Sequence, residues 1–524
     1  MHPLTLSRLG FAFIAPSLAI LPFAAAADAP AASPARDADP RPNFVFMIAD
    51  DLGIGDVGAY GAVRIPTPHI DRLAREGLRA TQAHASAAVC TPSRYSVLTG
   101  ENYWRAPAWE GQCLVRPDQP TVARTLQSAG YATGHFGKWH LGWGETVPGQ
   151  KREHRAAGVD WNAERLPIGV LESGYDTFFG TPWSANEPPF IFVQDRAMVG
   201  RDPADPLRLI GPDEEKFYGY GVSRGAAAAH AARPVESIDP IVTRHAVDFI
   251  AANKDRPFYL HLAYVAPHVP IASEPKYKGS SRTGPYGDMV VQMDDCVGRV
   301  LGALESHGVA DNTFVIFTSD NGAILNEGVH RTGHRSNLDL QGQKTDAWQG
   351  GVNVPFLARW PGRIPAGSVT NRLIALNDFF ATAAAAARMD VPAGAARDSV
   401  NQLPVLLDPT APAVRTEMTY NAITPPQLAL RSGDWVYVPA QGSLGVTTDS
   451  RYDWAMQFAE LGAVHSDYNP DGTLKPDAPK VQLYNLAEDP GQRVNLAGQL
   501  PEKAAEMAAR LNKLRGRPVD ARTE

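Results

Sequence analysis

Three apolar runs restrict what this chain can fold into. They are Asn43-Phe44-Val45-Phe46-Met47-Ile48-Ala49, Pro257-Phe258-Tyr259-Leu260-His261-Leu262-Ala263-Tyr264 and Thr313-Phe314-Val315-Ile316-Phe317-Thr318. None alternates apolar with polar residues, as a strand with one wet face would. They read instead as strands buried on both faces, which is how a parallel sheet covered by helices appears in sequence. Helical patterns fill the intervals 121–130, 238–252 and 286–306. The expectation is an α/β fold with a large, mainly parallel sheet flanked by helices. A smaller C-terminal sheet-plus-helix subdomain is expected over 411–524, from strand patterns at 435–438 and 481–486 and an amphipathic helix over 501–514.

The residues just past each run point to chemistry. The first run ends in Asp50-Asp51, the third in Ser319-Asp320-Asn321, and the second leads into Pro267-His268. Ligands of open α/β sheets gather at the carboxyl ends of the strands. One Asp there is as often a helix or turn cap. Asp50, Asp51, Asp320 and Asn321 together offer three carboxylates and an amide oxygen, a hard all-oxygen cage. Such a cage suits Ca²⁺, and Mg²⁺ less well. Zinc would ask for His or Cys.

A second feature is Cys90-Thr91-Pro92-Ser93-Arg94, running on to Leu98-Thr99-Gly100. Proline suits a first helical turn and serine can cap one, so Cys90 is expected at a helix N-terminus. Unpaired N–H groups there favour an anion, and Arg94, one turn on, shares the face. A lone cysteine is more often a small buried apolar residue than a nucleophile. The full string, however, resembles the signature of the sulfatases, in which this cysteine becomes formylglycine. Gly137-Lys138-Trp139-His140-Leu141-Gly142 is similar to the second signature of that family, and resemblance runs over most of 42–515.

The resemblance implies an alkaline phosphatase-like fold and hydrolysis of sulfate monoesters. It makes Cys90, as formylglycine, a fifth metal ligand beside Asp50, Asp51, Asp320 and Asn321. Arg94, Lys138 and Lys344 would hold and neutralise the sulfate. A hydroxyl of the hydrated formylglycine would attack sulfur, and His268, with Lys344, would protonate the departing alcohol. His140 would accept the proton that lets sulfate leave. Ser184 occupies the place of a sulfate contact; His334 and Arg335 are candidates for the rest of the substrate, with a loop salt bridge as the competing role. The family commonly carries Glu before Gly350-Gly351, whereas this chain has Gln349. Related two-zinc phosphatases tend to carry Asp-His at the third strand end; Asp320-Asn321 argues for one hard cation. Competing functions are a phosphonate monoester or phosphodiester hydrolase on the same scaffold, and a non-catalytic sulfoglycan-binding relative.

The N-terminus reads as a secretory signal over 1–27, with Arg8, an apolar stretch and Ala25-Ala26-Ala27 before the cut. A flexible leader over 28–40 precedes a catalytic domain over 41–410. No later stretch is long and apolar enough for a transmembrane anchor. The implied location is periplasmic or secreted, the implied substrate a sulfated carbohydrate, and the implied partner a formylglycine-generating or maturase enzyme. A formal net charge of −7 argues against a nucleic-acid partner. With Cys90 set aside, Cys113 and Cys296 could pair or stay free.

Overall fold

A computed structural model describes residues 40–106, 112–144, 158–204, 206–210, 227–229, 234–423, 428–443 and 465–515. The expected signal and most of the leader lie outside them. Residues 41–524 form one compact unit.

Its centre is a ten-stranded sheet. In chain order the strands are β1 (Asn43–Asp50), β2 (Leu78–Ala80), β3 (Ala132–Lys138), β4 (Thr177–Thr181), β5 (Val193–Gln194), β6 (Ala197–Met198), β7 (Phe258–Pro267), β8 (Thr313–Ser319), β9 (Phe356–Arg359) and β10 (Ser368–Thr370). Their spatial order is β10-β2-β9-β8-β1-β7-β3-β4-β5-β6. The middle, β8-β1-β7-β3-β4, is parallel throughout. The margins are mixed, because β9 runs antiparallel to β8 and β2, and β5 to β4 and β6.

The apolar runs are continuous because each strand feeds two cores. Phe44, Phe46 and Ile48 pack into one layer with helices α2 (Cys90–Thr99), α3 (Val122–Ser128) and α6 (Phe379–Ala386). Val45, Met47 and Ala49 pack into the other with α1 (Pro68–Glu76), α4 (Ile238–Asn253) and α5 (Pro285–Ser306). Cys113 lies in the first layer and Cys296 in the second, and both are free thiols.

The first layer also buries imidazoles. His135 and His261 meet ring to ring at 4.6 Å, and the Tyr175 hydroxyl lies 2.8 Å from His261 Nδ1. His84 lies 2.6 Å from Gln349 Oε1. Burial pushes His84 and His135 down to about 3, and His261 well below its usual range. The folded chain keeps these rings neutral where the unfolded chain protonates them. Stability is therefore full above about pH 6.5 and is lost as pH falls from there, by up to about 1.4 kcal/mol per pH unit for each ring. Burial raises the Asp239 and Asp294 carboxyls to about 7, which works in the opposite sense over the same interval, so the ring contribution is read by difference. The urea midpoint of the parent is expected to lose more from about pH 6.5 to 4.5 than that of His135→Phe, and equal slopes would contradict the burial argument.

A second sheet, β11 (Glu417–Asn421), β12 (Leu428–Ser432), β13 (Trp435–Val438) and β14 (Gln482–Asn485), is antiparallel throughout. Helix α7 (Pro501–Arg515) covers one face through Met507 and Leu511. The other face shares a core with Ala88, Ala347, Trp348 and Val352 of the main body. Ala88 N donates to Asn421 O at 2.9 Å, Thr345 N donates to Ala88 O at 2.7 Å, and the Tyr420 hydroxyl donates to Ala347 O at 2.9 Å. This sheet therefore braces the segments that carry Cys90 and Lys344.

Candidate active site

Strand register assembles the acidic cluster. Ala49 on β1 faces Ser319 on β8, so Asp50 and Asp320 leave the sheet in step. On the other side β1 slips against β7, pairing Asp50 with Pro267 and bringing His268 beside Asp51. Asp51 then turns with φ of 65°, a left-handed conformation uncommon for a residue with a Cβ. His140 (φ 59°) and Thr345 (φ 81°), on the other segments around the site, share it. Such strain, about 1–3 kcal/mol each, persists only where surrounding contacts over-determine the backbone.

Every carboxylate meets a cation. Lys138 Nζ donates to Asp50 Oδ2 at 2.7 Å and Lys344 Nζ to Asp51 Oδ2 at 2.8 Å. Arg94 contacts Asp320 Oδ2 through Nε at 2.9 Å and Nη2 at 2.7 Å. Asp51 N donates to Asp320 Oδ1 at 3.1 Å, and Asn321 Nδ2 donates to Asp51 Oδ1 at 2.8 Å. Burial alone would raise the Asp50 carboxyl, yet Lys138, His268, Arg94 and Lys344 hold it well below the usual carboxylate range. Burial likewise opposes the Lys344 charge, but Asp51 and its neighbours keep that ammonium protonated well above its ordinary value.

Two oxygens in this network accept nothing. Asp50 Oδ1 and Asn321 Oδ1 are buried without a hydrogen-bond donor; Arg94 Nη2 lies 3.5 Å from the first. Other buried acceptors among the described residues share this state, but these two lie together at the acidic strand ends, where one cation would satisfy both. One ligand atom from each of Asp50, Asp51, Cys90 and His268 also falls within 4.8 Å of the others. The oxygens of this donor set fit a hard divalent ion.

Cys90 is the first residue of α2 and is 5% exposed. No side chain caps this helix, and the Ser93 hydroxyl has no hydrogen-bond partner, so the anticipated serine cap is absent. Burial outweighs the opposing pull of Lys138 and Lys344 and pushes the Cys90 thiol up to about 12. A thiolate is thus strongly disfavoured, and sulfur here is a poor nucleophile.

The sulfatase family profile matches residues 42–389, a span holding every residue named in this cluster. The chain belongs to the sulfatase family. It is a sulfuric ester hydrolase. An N-acetylgalactosamine-6-O-sulfatase of Bacteroides thetaiotaomicron is 32% identical over 91% of this chain and 94% of its own length. The human N-acetylgalactosamine-6-sulfatase is 33% identical over 71% of this chain and 67% of its own. A solved structure from work on glycosaminoglycan metabolism by Bacteroides thetaiotaomicron superposes with a TM-score of 0.78 at 30% identity, covering 91% of this chain and all of that one. The phosphonate monoester hydrolase of Agrobacterium radiobacter, at 18% identity and a TM-score of 0.57, shares the fold.

The remaining site candidates of the sulfatase fall in two groups. His268 Nδ1 lies 2.7 Å from Val269 O and its Nε2 3.7 Å from Asp51 Oδ2, so the ring joins the cluster. Burial, then Lys344, presses it toward the neutral form. His140 joins the same wall, because the Thr91 hydroxyl donates to His140 O at 3.0 Å. Ser184 is buried, and its N–H reaches Glu187 Oε2 at 3.3 Å. His334 instead faces Asp56, at 2.7 Å, whose other oxygen accepts from the Tyr286 hydroxyl at 2.6 Å. Arg335 is exposed, and its Nη1 donates to His330 O and His334 O. Gln349, just before Gly350-Gly351, meets His84, which also lies 2.9 Å from Arg431 Nη1. Glu187, whose Oε2 is 3.1 Å from His140 Nε2, is a site residue that sequence reasoning misses. An isolated Glu before Pro188-Pro189 carries no periodic or motif signal.

Proposed function

We propose that this sulfatase removes sulfate from a sulfated carbohydrate, using formylglycine made from Cys90 beside a Ca²⁺ ion, with Mg²⁺ the poorer fit. The observation that carries this reading is the pair of buried acceptors, Asp50 Oδ1 and Asn321 Oδ1, next to a thiol that burial keeps protonated. Together the cation and the modified residue supply an oxygen nucleophile and positive charge for the ester. The protein's own charges suit that addition. Asp50, Asp51 and Asp320 are matched by Lys138, Lys344 and Arg94, so a divalent ion leaves the site net positive for a sulfate anion.

Each lysine ammonium has three donors and gives one to a carboxylate, keeping others for sulfate oxygens. Arg94 fixes Asp320 and adds charge to the same wall. Lys344, held protonated, is the standing proton source on the leaving-group side. His268 becomes protonated there once sulfate's negative charge lies against it, because a nearby anion favours the imidazolium form, and it then gives that proton to the departing alcohol. His140 takes up the proton that accompanies sulfate release. Ser184 is assigned to sulfate, and His334 and Arg335 to the rest of the sugar.

Relatives named for N-acetylgalactosamine 6-sulfate support an amino-sugar 6-sulfate as the first substrate to test. The N-terminal signal pattern supports export to the periplasm or beyond and a maturase partner. No helix among the described residues is long and apolar enough to cross a membrane.

A panel of sulfated mono- and disaccharides with an aryl phosphodiester beside them tests the reading. Free sulfate from a sulfated amino sugar is expected, with loss of rate on chelation and recovery with Ca²⁺ ahead of Mg²⁺. Preference for the diester, or recovery with Zn²⁺ alone, would overturn it.

A further inference from the structure

His140 is held from three sides. Its backbone N donates to Pro182 O at 3.0 Å, its carbonyl accepts from Thr91, and its ring packs edge-on against Trp183. The fourth contact is ionic, with Glu187 Oε2 at 3.1 Å from Nε2. That carboxylate is itself anchored, because Ser184 N reaches the same oxygen and Glu187 N donates to Ser184 O at 3.0 Å. The side chain of Glu187 is only 15% exposed, so solvent screens the contact weakly.

We propose that Glu187 is the positioning residue for His140, an assignment that rests on His140 accepting the proton of the sulfate-release step. An anionic acceptor at Nε2 holds the imidazole proton there, and a neutral ring so held keeps its basic lone pair on Nδ1. When Nδ1 takes the proton, the ring becomes an imidazolium whose charge Glu187 offsets; water then carries the proton away. A carboxylate behind a histidine sets tautomer and orientation in the same way in other hydrolases. Glu187 touches neither the ester nor the acidic cluster in this assignment.

Imidazole ¹⁵N shifts, assigned through loss of one ring's signals in His140→Asn, read the tautomer without reference to turnover. The parent is expected to show His140 with its proton on Nε2. Glu187→Gln keeps the shape and an acceptor oxygen; it should keep that tautomer and lower kcat by roughly tenfold, while Glu187→Ala should mix the tautomers and lower kcat by roughly 100-fold, with KM nearly unchanged. An unaltered His140 tautomer in Glu187→Ala, or a KM rising in step with the loss, would overturn the assignment, the second outcome marking a substrate contact instead. Failure of the parent to release sulfate from any sulfated sugar would count against the substrate reading and leave the tautomer comparison decisive for Glu187.

Discussion

Cys90→Ala is expected to lower sulfate release by about 10⁴-fold or more while the protein stays folded. Catalysis through a covalent nucleophile loses roughly that much when the nucleophile is removed and only binding and charge remain. Cys90 is buried at the first position of α2, where alanine is a good helix former and the lost sulfur costs about 1 kcal/mol. Mass analysis of the parent peptide spanning Cys90 to Arg94 belongs with this experiment, because it shows whether the active protein carries the thiol or the aldehyde. A fully active parent with an unmodified thiol would end the oxygen-nucleophile reading. A Cys90→Ala protein within about tenfold of the parent would end the role of the residue altogether.

Asp320→Ala is expected to be the most destabilising single change at the site. Among the described residues, it leaves the Arg94 guanidinium, 5% exposed, with one carboxylate in ion-pair range, Asp50 Oδ1 at 3.5 Å. Breaking one side of a buried ion pair costs about 3–5 kcal/mol, most of it from the charge left behind. The same change removes one carboxylate from the proposed cation cage, so activity should be lost as well. The two effects separate in Asp320→Ala/Arg94→Met. Removing the stranded charge should recover part of the urea midpoint and none of the sulfate release. A single variant as stable as the parent would mean that Arg94 relaxes into solvent, contrary to its burial.

The middle of the fold is legible in the sequence because β1, β7 and β8 are buried on both faces, and continuous apolar runs record that directly. The margins are not. Strands β5 and β6 are two residues long, too short for any period to show, and their antiparallel pairing rests on turns. The acidic strand ends are legible for the same reason as the strands, since a polar pair closing an apolar run stands out. Partnerships are not, because they join residues far apart in the chain. Arg94 reads, from its place beside Cys90, as a sulfate contact, yet its hydrogen bond to Asp320 spans 226 residues. Asp56 and His334, 278 residues apart, carry no local sign of each other. Glu187 is invisible because one carboxylate in a turn looks like any other.

The bracing of residue 90 by the C-terminal sheet has a consequence in time. Ala88, two residues before Cys90, is hydrogen-bonded to Asn421, and Tyr420 closes over Ala347. Once those strands have arrived, the side chain at position 90 is out of reach of any large modifying protein. If Cys90 is converted to formylglycine as proposed, the converting enzyme would have to act on a chain still being made or still unfolded. Synthesis at about 5–20 residues per second separates residue 90 from residue 421 by tens of seconds. On the proposed function, the order of residues along the chain would thus set the interval in which the nucleophile is made, and folding would close it.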